Sequence, residues 1–92
     1  VFSTTASTDV AVPDLGMTIV LEKPAWVELI GFFNTDDGSG AHSFYRLYVN
    51  GDPATDYGED EGTGGGNTVM SYGIVRLDAG SHYIQAMTKT NS

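Results

Sequence analysis

Residues 25–33 read Ala25-Trp26-Val27-Glu28-Leu29-Ile30-Gly31-Phe32-Phe33, the most apolar stretch of a 92-residue chain. A strand half-buried in a sheet alternates apolar and polar side chains. Here both faces are apolar. Val27, Leu29 and Phe33 share one side; Trp26, Ile30 and Phe32 share the other, interrupted only by Glu28. Residues 68–77 repeat the pattern, with Val69, Val75 and Leu77 on one face and Met70, Tyr72 and Ile74 on the other. Residues 43–49 set Phe44, Arg46 and Tyr48 against Tyr45, Leu47 and Val49, and residues 81–89 set Tyr83 and Met87 against His82, Ile84 and Ala86.

Working outward, Met17, Ile19 and Leu21 alternate with Thr18, Val20 and Glu22, and Lys23-Pro24 ends that strand. Residues 1–8 read as an extended edge segment or arm, and residues 9–12 as a short strand before Pro13, with Asp14-Leu15-Gly16 turning the chain. Residues 34–41 are a loop by composition. Asn50-Gly51 is the strongest short turn signal in the chain. After it, residues 52–67 form a long acidic, Gly-rich stretch with a short strand expected near residues 54–57, since a loop of that length without structure is uncommon. Asp78-Ala79-Gly80 predicts a tight turn that joins residues 68–77 and 81–89 into a closing hairpin. Twelve glycines, three prolines and few strong helix formers agree with strands and turns. The expectation is a single all-β domain over residues 1–92: a two-sheet antiparallel β-sandwich of jelly-roll type with six to eight strands.

Composition narrows the function. Twelve acidic residues against four basic ones give a net charge of −8, which disfavours nucleic acid and anionic membranes as partners. No apolar run is long enough to span a bilayer, and no secretory signal pattern opens the chain. A chain that begins at Val1 is expected to lack an initiator Met or a longer N-terminal part. There is no cysteine, which excludes disulfides and thiolate metal sites. A domain this small has little core to spare, so a hard cation or a subunit interface remains as a source of stability.

The chemical sites are weak. His82 lies where a strand starts and reads as a half-buried residue bonded to backbone near the turn. His42 has no second His near it, and two histidines do not make a zinc site. Asp36-Asp37-Gly38-Ser39-Gly40 and the Asp52, Asp56, Glu59-Asp60-Glu61 set offer oxygens for calcium, but neither has EF-hand spacing. Gly62-Thr63-Gly64-Gly65-Gly66-Asn67 fails both the dinucleotide and the P-loop pattern. No nucleophile, base and orienter stand out. The expectation is no enzyme activity, no cofactor and no metal.

What remains is surplus apolar surface. Trp26, Ile30, Phe32, Phe44, Tyr48, Met70, Tyr72 and Ile74 are expected to form a subunit or partner interface, with Tyr83 and Met87 as further members. An exposed patch built from half of them would exceed the ~300–600 Å² typical of a monomer, and its composition is that of an interface. Loops covering this face, or a register one residue different, would account for the same pattern. Trp26, Tyr57 and Tyr72 could alternatively stack on sugars in a loop-lined groove.

Two segments carry a family resemblance: Phe44-Tyr45-Arg46-Leu47-Tyr48-Val49-Asn50-Gly51-Asp52 and Val75-Arg76-Leu77-Asp78-Ala79-Gly80-Ser81-His82-Tyr83-Ile84-Gln85-Ala86. Together with the strand, Pro break and apolar strand of residues 17–33, they resemble small jelly-roll domains of tailed-phage virion proteins, over roughly residues 10–89. Such domains are similar to the tumour-necrosis-factor-like jelly roll and are commonly trimeric. The resemblance implies a virion structural protein: a homotrimeric capsid decoration (cement) protein on the capsid surface, with the major capsid protein or another virion protein as partner. The alternative is a receptor- or carbohydrate-binding module of a tail fibre or an extracellular protein, with residues 34–42 and 52–67 as its contact surface.

Overall fold

The alternating segments become strands in the computed structural model, which describes residues 4, 6–36, 42–62 and 66–91. Seven strands follow in chain order: β1 (Val10–Leu21), β2 (Ala25–Asp36), β3 (His42–Val49), β4 (Asp52–Pro53), β5 (Gly58–Asp60), β6 (Gly66–Leu77) and β7 (Gly80–Asn91). They form two antiparallel sheets. The larger runs β1-β7-β3-β4 with β5 also on β3, and the smaller is β2 paired with β6. The pairing is nested: first strand with last, second with next to last, third with the short β4 and β5. That is the order of a long hairpin rolled into a jelly roll, with its innermost part reduced to two short strands.

Several expectations change. Residues 68–77 and 81–89 do not form a hairpin: β6 pairs β2 while β7 pairs β1 and β3, so Asp78-Ala79 is a crossover between sheets. Local turn chemistry read correctly here, with Gly80 at φ +122°, but a turn does not decide which sheet receives the next strand. Asp14-Leu15-Gly16 does not turn the chain either. β1 runs straight through Pro13 with a register slip between Ala11 and Gly16, where Asp14 takes φ +63°. A bulge absorbs the residues that a ladder interrupted by Pro cannot pair. The strand expected near residues 54–57 lies on either side of it, as β4 and β5. Asn50-Gly51 turns β3 into β4 with both residues at positive φ, as a two-residue hairpin requires. Residues 1–3 and 5 of the expected N-terminal arm lie outside the described residues, and Val10 is where strand pairing begins.

The molecule measures 45 × 19 × 18 Å, long and thin because its strands run along one axis. The inner faces meet through Leu29 and Phe33 of β2, Val49 of β3 and Ala86 of β7, all at or below 9% exposure, with Phe33 stacked on Tyr45 at 5.2 Å. Buried Thr35, Ser43, Thr55, Asp60, Ser71 and Thr88 fill much of the rest. The segment after β4 locks the sheets together. Ala54 N–H donates to the Leu47 carbonyl at 2.9 Å, Thr55 Oγ1 accepts from Leu47 N–H at 2.9 Å, and Asp56 N–H donates to the Tyr72 carbonyl at 3.1 Å.

This lock needs Gly73 without a side chain, since a Cβ there would run into the Ala54 carbonyl and sit 2.9 Å from Thr55 Cα. Both obstacles are backbone and cannot swing aside. Gly73→Ala is therefore expected to lower the unfolding free energy by about 1–3 kcal/mol, measured by urea denaturation.

Candidate functional site: the outer face of the β2–β6 ribbon

Because β2 and β6 pair without a bulge, their alternation carries through the whole ribbon. Trp26 lies opposite Arg76, Glu28 opposite Ile74, Ile30 opposite Tyr72, Phe32 opposite Met70 and Asn34 opposite Thr68. All ten point away from the larger sheet and are exposed. Trp26 and Phe32 are each 69% exposed, Met70 54%, Ile74 53%, Ile30 47% and Tyr72 39%. At ~150–250 Å² for large side chains, these fractions amount to ~700 Å² of mainly apolar surface, beyond the ~300–600 Å² of a monomer's largest patch.

The polar members of the face are engaged. Tyr72 hydroxyl donates to Glu28 Oε2 at 2.7 Å, and that bond raises its phenol above the ordinary value. The Arg76 guanidinium lies 5.9 Å from the Trp26 ring centroid, and Thr68 Oγ1 donates to Asn34 Oδ1 at 3.1 Å. The face therefore holds one acid and one base, in a chain of net charge −8.

Six of the eight expected interface residues thus meet on one surface: Trp26, Ile30, Phe32, Met70, Tyr72 and Ile74. Phe44 and Tyr48 do not join them. They sit on β3, on the outer face of the other sheet, and are half-buried. Alternation correctly set them opposite Leu47 and Val49, but outward from β3 is the reverse side of the molecule from outward from β2. Tyr83 and Met87 share that reverse side, Tyr83 passing over Gly16.

That side is organised by a residue that sequence reading passed over. Asp9 Oδ2 accepts from Arg46 Nε at 2.9 Å, Arg46 Nη2 at 2.6 Å and the Tyr48 hydroxyl at 2.5 Å, while Oδ1 accepts from the Tyr57 hydroxyl at 2.9 Å. The Arg46 guanidinium also lies 4.1 Å from the Tyr57 ring centroid, and Lys89 4.8 Å from it. Thr90 N–H donates to the Ala6 carbonyl at 2.7 Å, so the segment before β1 is held beside β7. Burial pushes the Asp9 carboxyl up, but the bonds from Tyr48, Arg46 and Tyr57 and the Arg46 charge outweigh it and hold it below the ordinary value. Tyr48 is raised by its bond to Asp9, and Tyr57 by burial and then by the same carboxylate. Nothing local signals this node, whose partners lie far along the chain.

The remaining candidates fall into structural roles. Asp60 is 2% exposed and accepts from Thr35 Oγ1, from Gly62 N–H at 2.9 Å and from Asn67 Nδ2 at 3.5 Å, fastening the end of β2 and β6 to β5. His82 Nε2 donates to the Asp78 carbonyl at 2.7 Å and Nδ1 accepts from Asn50 Nδ2 at 2.9 Å, the backbone-bonded role expected for it. His42 Nδ1 pairs with Glu59. Asp52 and Asp56 are exposed, and Asp37-Gly38-Ser39-Gly40 lie outside the described residues, as does most of the glycine run after Gly62. Among the described residues, no group of three or more His, Asp or Glu side chains is placed to hold a metal ion, and no helix is long and apolar enough to cross a membrane.

An open groove of about 340 Å³ runs along the gap between β1 and β2, with Leu15 and Met17 on one wall, Ile30 and Phe32 on the other and Leu47 and Ile84 as floor. It exists because a two-stranded sheet cannot cover all of a wider one, and it is continuous with the ribbon face at Ile30 and Phe32. Comparison with family models, with curated proteins and with solved structures found no match.

The depressed Asp9 carboxyl sets a direction for pH. Such a group stabilises the fold above its unfolded value, ~3.9, and the contribution is lost as pH falls through the lower folded value. Asp9→Asn is expected to cost about 2–3 kcal/mol near neutrality, with the gap between variant and wild type closing only below the ordinary carboxylate range; thermal unfolding followed across pH measures it.

Proposed function

We propose that this protein works by adhesion, as a structural protein that joins copies of itself and fastens to a larger shell, in the manner of the virion jelly-roll domains it resembles. One observation carries the reading: the outer face of the β2–β6 ribbon exposes Trp26, Ile30, Phe32, Met70, Tyr72 and Ile74 side by side. Aromatic residues and Met, with few charges at the centre, are what protein interfaces are made of.

Two further features support it. Among the described residues only Leu29, Phe33, Val49 and Ala86 are fully buried apolar side chains, while six large apolar side chains stand exposed on the ribbon's outside. The face is also close to neutral while the chain is strongly acidic, which lets copies meet there with less repulsion than elsewhere. The setting, a decoration protein on a capsid surface contacting the major capsid protein, rests on the resemblance. For the alternative of sugar binding the geometry offers less: the Tyr57 hydroxyl is engaged by Asp9, and Trp26 and Tyr72 stand on a ribbon face, not in a loop-lined groove.

Sedimentation velocity at micromolar concentration is expected to show an oligomer for the wild-type chain and the lone 9.8 kDa chain for a Met70→Glu, Ile74→Glu double variant. Both residues point to solvent, so the strand signal in circular dichroism is expected to stay. A wild-type monomer at that concentration overturns self-adhesion. Co-purification with capsid shells at a symmetry-set ratio is the outcome expected for decoration; glycan binding lost with Trp26→Ala is the outcome that favours the alternative.

A further inference from the structure

We infer that the β2–β6 ribbon pairs with the same ribbon of a second copy, face to face, about a two-fold axis that runs along the strands. This rests on the adhesive reading of that face and gives it a partner, a symmetry and a register.

Area comes first. A stable interface buries ~800 Å² on each partner. The apolar side chains of the face supply ~700 Å², and the polar residues Glu28, Asn34, Thr68 and Arg76 supply the remainder. Nothing beyond the ribbon is needed to reach that size.

Self-complementarity decides the symmetry. Two sheets pack face to face with strands within about 30° of each other, which leaves two ways to relate identical ribbons. With the axis along the strands, β2 of one copy lies over β6 of the other, at the same height. Trp26 then meets Arg76 of the second copy, a cation over an indole face. Phe32 meets Met70, a ring and a thioether. Asn34 meets Thr68, two hydrogen-bonding side chains. Glu28, already bonded to Tyr72 within its own chain, gains Arg76 of the second copy as a diagonal neighbour. With the axis across the strands, each strand lies over its own copy in reverse. Trp26 then covers Asn34, and the Glu28 carboxylate is pressed against Phe32. Glu28 faces an apolar side chain either way, Ile74 of the second copy in the first arrangement and Phe32 in the second; the first also sets Arg76 of the second copy beside the carboxylate and pairs Asn34 with Thr68, whereas the second brings no cation near it and sets Trp26 on Asn34. The pairing is isologous and closes as a dimer, where the resemblance alone implies a trimer.

The chain has no cysteine, so introduced thiols are unambiguous probes. The full chain is prepared as Asn34→Cys and separately as Thr68→Cys, both rim substitutions that leave the apolar centre intact. The two are mixed and treated with a short thiol–thiol cross-linker, alongside a mixture of Thr68→Cys and Arg76→Cys. The proposed register brings positions 34 and 68 of different copies together, so the first mixture is expected to give about tenfold more cross-linked heterodimer than the second, since proximity acts as raised effective concentration. The crossed arrangement reverses that ratio and overturns the inference. Sedimentation of the uncross-linked chain separates the failures: a dimer without the Asn34→Cys/Thr68→Cys product, or a trimer, overturns the register or symmetry and leaves adhesion standing, whereas a monomer removes both.

Discussion

The unbroken pairing of β2 with β6, from Ala25 opposite Leu77 to Asp36 opposite Gly66, is the constraint on which the rest of the molecule depends. A ladder with no bulge keeps every second side chain on one face from end to end. It therefore cannot conceal some apolar residues and expose others. Leu29 and Phe33 go inward together, and Trp26, Ile30 and Phe32 go outward together. Because the smaller sheet has only these strands, no neighbouring strand among the described residues lies over its outer side.

The larger sheet meets the same excess of outward apolar residues in a different way. Phe44 stands edge-on to Tyr57 at 5.6 Å, Lys89 lies 5.3 Å from the Phe44 ring centroid, and Tyr48 is tied to Asp9. The segment before β1 lies beside β7, bonded at Ala6 to Thr90, and sends the Asp9 side chain over to Arg46. One carboxylate with four donors holds it there, and bonds to a charged acceptor are stronger than neutral ones. The two sides of the sandwich differ for this reason: on one the outward aromatic side chains are tied to Asp9 and Lys89, on the other they stand exposed.

Polar staples replace a large core. Asp60 gathers the end of the β2–β6 ribbon to β5, and the Ala54–Asp56 backbone stitches β3 to β6. Ser71 Oγ, fully buried in the ribbon opposite Gly31, has no hydrogen-bond partner among the described residues, a cost that a better-filled interior would avoid. A domain with four fully buried apolar side chains among its described residues would gain stability by covering its ribbon face, which links the energetics of the monomer to the proposed work of adhesion.

Local rules carried the sequence reading a long way. Alternation settled which residues share a face, and it singled out Trp26, Ile30, Phe32, Met70, Tyr72 and Ile74 because side-chain direction along a strand depends only on position. Asn50-Gly51 and Gly80 were legible because positive φ is a property of single residues. Sheet membership was not legible. The turn at Asp78-Ala79 is compatible with a hairpin or a crossover, and only long-range pairing sent β6 to β2 and β7 to β1 and β3. For the same reason Phe44 and Tyr48 looked like members of one patch with Trp26, although outward from the two sheets means opposite sides of the molecule. Asp9 stayed invisible because a buried carboxylate is defined by the donors around it, and those arrive from Arg46, Tyr48 and Tyr57 only once the chain has folded. The sequence by itself determined an acidic, cysteine-free β domain with more apolar faces than one core can use; the tertiary structure decided which of those faces the chain covers and which it leaves open, because covering a face requires contacts between residues far apart in the chain.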